Sequence, residues 1–331
     1  MRFGRIAVSL AAVPLLFVAA CSQGSSDAAS STDDAAAVTV GHLFGETTVE
    51  GTPERVVTLS VSDNDAALAS GVVPVAMAQS VVKPVMPWTE EAITELGSEI
   101  PPLLDFGTEV PVEEVASYEP DLILATGLEL TDTVYEQLAA IAPTLARAEA
   151  EQADTWAEQS QRVSELFGTR EDIDAQIEAT ESELEAAAER NPELNGATYV
   201  VSLLHSADQA GLLTGPDSAT SQLLGSLGLV PAPETEKYVE EGKDNQLSPE
   251  NLRLLEADVL IGYFPDTGLR DTYYAMPVFS SLNVVGGGHH YQPTDEEWRG
   301  FRSTSLLSMA WLGQELPDKI AAAIRGEADR T

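Results

Sequence analysis

Cysteine is almost missing from this chain: there is one, Cys21, in 331 residues. No intrachain disulfide is possible, so no staple can stand in for a packed core. Basic residues are scarce too, 17 Lys and Arg against 54 Asp and Glu, giving a net charge of −37. Such acidity argues against nucleic acid as a partner and against broad docking on anionic lipid. It describes a solvated surface more than any particular ligand. Also absent are a Gly-x-Ser-x-Gly elbow, a His-Glu-x-x-His pair and a Gly-x-x-x-x-Gly-Lys phosphate loop. The usual signatures of hydrolases and nucleotide-binding enzymes are therefore missing. Ser60 with Asp63 or Asp65, and His205 with Asp208, could be imagined as catalytic groups, but nothing in their spacing requires it. An extracytoplasmic hydrolase stays as an alternative from a different class.

What is present begins with a positive start, Arg2 and Arg5, and an apolar run from Ile6 to Ala20 broken only by Ser9 and Pro14. As a helix this run rises about 22 Å, short of the roughly 30 Å hydrocarbon core of a bilayer. It has the layout of a secretory signal rather than a permanent span. Its Val-Ala-Ala-Cys ending resembles the lipobox of bacterial lipoproteins, in which the cysteine becomes the lipid-modified N-terminus after cleavage. Residues 1–20 would then be a signal peptide and residues 21–37, small and polar, a flexible tether with a reach of roughly 20–25 Å.

From residue 38 the pattern is that of a folded α/β protein. Val38 to Val49 reads as a hairpin or extended lead-in, Val56 to Leu59 as a strand, Asp63 to Ser70 as a helix ending at Gly71, and Val72 to Ala76 as a strand. Glu113 to Tyr118 reads as a short helix leading through Pro120 and Asp121 into the buried-strand run Leu122-Ile123-Leu124. Strands alternating with helices imply βαβ units and a parallel or mixed sheet. The same signals return later: a strand at Val200 to Leu204, a helix at Ser218 to Leu227, and a helix at Glu250 to Leu255 leading through Asp258 into Val259-Leu260-Ile261. Glu113 and Glu250 stand at matching places, eight residues before Asp121 and Asp258. Gly71-Val72-Val73-Pro74 likewise matches Gly228-Leu229-Val230-Pro231, so two lobes of like architecture are expected.

Between the two sets, Glu171 to Arg190 runs without Gly or Pro until Asn191-Pro192 stops it, with Thr169 placed to cap. Ile173, Ile177, Leu184 and Ala188 make one narrow apolar stripe on an otherwise charged helix about 30 Å long. This suits a strut between lobes. The expected division is 38–168 for the first lobe, 169–192 for the strut and 193–331 for the second lobe.

Val40-Gly41-His42, Gly45-Glu46-Thr47, Pro53-Glu54-Arg55-Val56-Val57-Thr58-Leu59 and Asp65 through Val75 together resemble the opening of one family. It is the iron–siderophore (ferric and cobalamin) class of ABC-transporter substrate-binding lipoproteins. Tyr118 to Leu124, Ile141-Ala142-Pro143-Thr144 and Leu247-Ser248-Pro249-Glu250 with Ala257 to Leu260 continue the match over nearly the whole mature chain. The resemblance implies a class III periplasmic-binding fold: two α/β lobes with central mixed or parallel sheets joined by a single long helix. It further implies a monomer, lipid-anchored on the outer face of the cell membrane, that captures a ferric siderophore and hands it to an ABC permease dimer. It implies no cofactor and no catalysis, the iron being held by the chelator. Haem-, cobalamin- or metal-binding receptors of the same class are the alternative. Glu113 and Glu250 would be the acids that meet permease arginines.

Ligands of open α/β sheets sit beyond the carboxyl ends of the strands. That rule and residue chemistry select Trp88, His205, Tyr238, Tyr263, Trp298, Arg299 and Arg302 as candidate cleft residues, aromatic surfaces and cations suited to an anionic chelate. Trp88 and Tyr238 are expected in loop-like segments. His289 and His290, adjacent on an extended segment, should face opposite ways and so not ligate one ion together. The expected outcome of Cys21→Ala is release of the protein from the membrane pellet into the soluble fraction with ligand affinity unchanged; retention in the pellet would contradict the anchor.

Overall fold

The structure, a computed structural model, describes residues 37–81, 83–105, 109–150, 154–213, 218–240 and 245–327. Cys21 and all but the end of the tether lie outside them. The lead-in is an antiparallel hairpin of β1 (Val38–His42) and β2 (Gly45–Val49). Then follow β3 (Val56–Thr58), α1 (Val61–Ala69), β4 (Met77–Ala78), α2 (Pro87–Glu95), β5 (Leu103–Leu104), α3 (Val112–Ser117), β6 (Leu122–Ala125), α4 (Asp132–Ala139) and β7 (Thr144–Ala146). β3, β6 and β7 form a parallel sheet, each entered from a helix or loop on its face. Of the expected strand Val72 to Ala76 only Ala76 bridges, to Val57, and the strand proper begins one residue later at Met77.

Two helices, α5 (Trp156–Phe167) and α6 (Arg170–Arg190), separate this half from the next. The second half holds β8 (Thr198–Ser206), β9 (Gln209–Leu212), α7 (Ala219–Ser226), β10 (Val230–Pro231), α8 (Pro233–Glu240), β11 (Gln246–Leu247), a 3-10 turn at Pro249–Leu255 and β12 (Val259–Tyr263). It ends with α9 (Thr267–Ala275), α10 (Pro277–Ser280), α11 (Asn283–Gly286), β13 (His290–Tyr291), α12 (Asp295–Arg302) and α13 (Leu306–Ile324). The sheet order is β11-β9-β8-β12-β13, with β10 paired to the start of β8. β8, β12 and β13 are parallel, while β9 runs antiparallel to both of its neighbours, β8 and β11, so this sheet is mixed. Apolar clusters fill both faces of each sheet, the pattern expected when helices cover a mostly parallel sheet on both sides.

The expected strut is α6. Its buried positions are Ile173, Ile177, Thr180, Leu184 and Ala187, spaced 4-3-4-3. Ala187 rather than Ala188 therefore closes the stripe, as a seam against one partner helix demands. Thr169 takes the N-cap position, but its side chain makes no capping bond. The partner helix is α13, reaching so close that a Cβ on Gly313 would stand 3.1 Å from Leu184 Cδ2. α13 also packs on α1 and α2 of the first half and on α12 and β13 of the second. α6 is the chain connection between the halves, and α13 packs along it and touches both. No described helix is long and apolar enough to cross a membrane.

The contact that fixes α13 to the first half is a carboxylate. Asp65 on α1 is wholly buried and accepts three hydrogen bonds: from Trp88 Nε1 at 2.7 Å, Thr89 Oγ1 at 2.7 Å and Ser305 Oγ at 2.5 Å. Ser305 is also the N-cap of α13. One carboxylate therefore joins α1, α2 and the start of α13.

Burial pushes the Asp65 carboxyl up from 3.8 to about 6, against the three donors that favour the charged form. The folded protein holds this proton more tightly than the unfolded chain. The resulting stabilisation is complete below pH ~4 and is lost as pH rises through ~6, by at most about 3 kcal/mol at ~1.4 kcal/mol per unit. Asp65→Asn cannot titrate. Between pH 4 and 7 the unfolding free energy of the natural protein should fall relative to that of the variant, measured by urea denaturation; parallel pH curves would contradict the assignment.

Candidate functional site

The parallel strands of the second sheet end together: Leu203 of β8 is in register with Tyr263 of β12, and Ile261 with Tyr291 of β13. α12 lies across this edge. Its N-terminus carries a capping box, Thr294 accepting from Glu297 N and Glu297 accepting from Thr294 N, as the sequence Thr-x-x-Glu dictates. Glu297 is buried and does more. It accepts from the Tyr291 hydroxyl at 2.7 Å and from Lys319 Nζ of α13 at 2.9 Å. Burial alone would raise its pKa, but these donors outweigh burial and hold it below the ordinary carboxyl range. α12 is thereby clamped between β13 and α13, and Gly300 lets it approach until a Cβ there would stand 2.9 Å from Leu312 Cδ1.

With α12 held, Trp298 stacks on Tyr263, ring centroids 4.7 Å apart and planes 9° from parallel. The Tyr263 hydroxyl donates to Asp295 Oδ1 at 2.8 Å. Burial and that carboxylate push the phenol up to about 12, so Tyr263 is neutral at physiological pH. Arg299 and Arg302 follow one turn apart on the same helix. Arg302 lies at the wall of a cavity of about 280 Å³, with Leu213, Ser218, Thr220 and Asn245. Four of the seven candidate residues, Tyr263, Trp298, Arg299 and Arg302, are thus brought together at the edge selected from strand polarity.

The others are placed differently. His205 is exposed near the end of β8, its ring nitrogen 3.2 Å from Leu203 O. Tyr238 packs against the apolar cluster of Val200, Leu204 and Leu260, which fills one face of the second sheet, while Tyr263 packs against the other. Trp88, only 3% exposed, belongs to a cluster with Val61, Met86 and Trp311, and its indole N–H is committed to Asp65. Neither Trp88 nor Tyr238 is in a loop: both lie on helices that open with proline, Pro87 and Pro233. Proline at a first helical position costs no hydrogen bond and could have signalled both.

The corresponding edge of the first sheet, where strand polarity selects the segments Ser60 to Asp65 and Thr126 to Glu129, has a polar lining. There Asp63, wholly buried, accepts from Ser60 Oγ at 2.6 Å and from Thr126 N at 3.1 Å, and Gln159 of α5 reaches Ser62 Oγ at 2.9 Å. Burial raises the Asp63 pKa. Gly127 lies so near that a Cβ would meet Ser60 Oγ at 2.3 Å.

The two adjacent histidines point apart. His289 Nδ1 reaches the last carbonyls of α13, Ile324 O at 2.9 Å. His290 is enclosed by Phe264, Phe279 and Tyr274, and burial lowers its pKa to about 4. Among the described residues no group of three His, Cys, Asp or Glu is placed to hold a metal ion. Glu113 and Glu250 are both exposed, in the first turn of α3 and of the 3-10 segment, with no ion pair among the described residues.

Comparison with known proteins agrees in fold and family. The periplasmic binding protein family profile matches residues 57–272. The Fe(3+)-citrate-binding protein YfmC of Bacillus subtilis (strain 168) is 27% identical over 304 residues, covering 89% of this chain and 90% of that protein. The crystal structure of Streptococcus pneumoniae TIGR4 PiaA in complex with ferrichrome is similar with a TM-score of 0.74 and 26% identity, covering 87% of this chain and 99% of that one. A periplasmic solute binding protein from Mycobacterium smegmatis gives a TM-score of 0.75 at 26% identity with the same coverage.

Proposed function

Since the chain belongs to the periplasmic binding protein family, we propose that it is the receptor of an ABC importer that captures a ferric siderophore and delivers it to a membrane permease dimer. The observation that carries this reading is the carboxyl edge of the β8–β12–β13 sheet, where half-buried Tyr263 stacks over the buried Trp298 and Arg302 lines a cavity of about 280 Å³. Aromatic faces and guanidinium groups match a bulky chelate whose iron is already wrapped in oxygen. No protein ligand to the metal is required. That similar proteins are named for ferric citrate and bound to ferrichrome supports the same class of cargo.

In this reading residues 38–168 and 193–331 are two lobes, residues 169–192 their strut, and the ligand lies between the lobes. Pairing of α6 with α13 makes the connection stiff and closure limited. Glu113 and Glu250 start equivalent segments in the two halves and have no ion pair among the described residues, which suits docking to permease arginines. The protein acts as a monomer tethered through Cys21 on the outer face of the cell membrane, without catalysis. A haem-, cobalamin- or metal-carrying receptor of the same class is the second reading, carried by the exposed His205 near the end of β8.

Tryptophan fluorescence should quench on adding a ferric chelate and stay flat with the iron-free chelator at equal concentration; silence across ferric hydroxamates, catecholates and carboxylates would overturn the ligand class. Substituting Glu113 and Glu250 together with Ala should abolish uptake while leaving chelate affinity intact, whereas loss of affinity would place them in the cleft.

A further inference from the structure

The β1–β2 hairpin makes a two-stranded sheet of its own and is not paired into the β3-β6-β7 sheet. Two strands alone are marginal in water, so the hairpin depends on what holds it to the body. Val40 and Val49 sink into the apolar cluster of Val56, Leu122, Leu145 and Phe167. The polar hold is a chain of hydrogen bonds through His42, which is only 8% exposed. Phe44 N donates to its Nδ1 at 3.2 Å. Its Nε2 stands 3.0 Å from Thr47 Oγ1, and that hydroxyl donates to Thr144 O of β7 at 2.6 Å. Each link has one direction: with Phe44 N–H on Nδ1 and the Thr47 proton given to Thr144, the ring proton sits on Nε2. Tyr135 of α4 closes over the ring, its hydroxyl 3.4 Å from Nε2 and its own ring stacked on Phe44 with centroids 4.4 Å apart.

A second proton can go only to Nδ1, where it would face the Phe44 N–H, donor against donor. The surroundings offer that charge nothing. Arg162 of α5 donates to Gly41 O at 2.9 Å, and Arg147, just after β7, accepts from Leu43 N at 3.0 Å through its carbonyl; the two guanidinium groups are paired with Asp154 and Glu129. Glu46 of the hairpin is exposed, and burial keeps the Tyr135 phenol neutral. Among the described residues His42 has no carboxylate partner. Burial, and after it the charge of Arg162, hold the His42 pKa below its ordinary 6.5, against a weaker opposite contribution from the Glu46 backbone.

Resting on the reading of residues 21–37 as a tether, we propose that His42 is an acid-sensitive latch whose protonation frees the hairpin from β7 and α5 and adds residues 38–49 to the leash. The stabilisation given by the neutral ring is fully present above pH 6.5 and is lost as pH falls through the lower pKa of the folded state. The added residues would lengthen the leash from a reach of roughly 20–25 Å to roughly 27–32 Å. In acid surroundings the body then ranges farther from its anchor.

Hydrogen exchange read by mass spectrometry on the full-length protein tests the latch, with the hairpin followed from pH 7 to pH 5 and β6 as the reference for the body. Corrected for the intrinsic rate, hairpin protection should fall about tenfold while that of β6 holds. Deuterium exchange at the His42 ring C–H, which reads the imidazole's own titration, should give a midpoint below 6.5. His42→Asn keeps an acceptor for Phe44 N and His42→Gln a donor toward Thr47, and neither titrates. Hairpin protection in both variants should stay level over the same range, whatever its starting height. Unchanged hairpin protection in the natural protein, an equal fall in the variants, a fall shared by β6, or a ring midpoint at or above 6.5 would overturn the latch. None of these outcomes touches the tether or the ferric-chelate reading, which the Cys21→Ala fractionation and the chelate titrations test separately.

Discussion

Three consecutive polar residues at the start of α1, Asp63, Asn64 and Asp65, are the constraint on which the rest of the structure depends. All are buried, and each ties a different part of the chain to this helix. Asp63 holds the turn after β6, and through Thr126 and Gln159 the adjoining α5. Asn64 accepts from Thr58 Oγ1 and from Ala78 N and donates to Ala78 O, locking β3 to β4. Asp65 gathers α2 and the N-cap of α13. Buried polar groups are tolerated only when fully partnered, and here that requirement allows few arrangements of the elements around α1. The link through Asp65 is the one that reaches the C-terminal helix, which in turn clamps α12 through Lys319 and Glu297. The position of the candidate cleft residues is therefore set from the opposite half of the molecule.

Much of this was legible in the sequence, and the exceptions share a cause. The alternation of apolar runs with helical stretches indicated the two sheets, and strand polarity together with residue chemistry selected the edge where Tyr263, Trp298, Arg299 and Arg302 meet. The paired positions of Glu113 and Glu250 were visible as a repeat. By contrast, the burial of Asp63, Asn64 and Asp65 was not legible, because nothing local distinguishes a buried carboxylate from an exposed one when the donors to Asp65 lie 24 and 240 residues away. The role of α13 escaped for the same reason: its apolar run shows a buried helix but not which two halves it joins. Trp88 was legible as an aromatic beside a strand edge, yet its N–H belongs to Asp65. Cys21 and its lipobox remain a property of the sequence.

The chemistry of the cleft follows from how charge is distributed rather than from its total. A net charge of −37 would repel an anion at long range, but at ~0.15 M salt the screening length is about 8 Å, so nearby groups decide. Around α12, Asp295 and Glu297 are turned into internal hydrogen-bond acceptors, and among the described residues neither Arg299 nor Arg302 has an ion pair. An acidic protein can in this way present a local cationic surface without carrying many cations.

The account's central claim is that a ferric chelate sits over the carboxyl edge of the second sheet beside Arg302. Anomalous scattering at the iron edge from crystals grown with ferric citrate tests it most directly. The account predicts one iron peak facing Tyr263 and Arg302, with no protein atom within bonding distance of the metal. A peak elsewhere on the molecule, or iron ligated directly by His205 or another side chain, would contradict it.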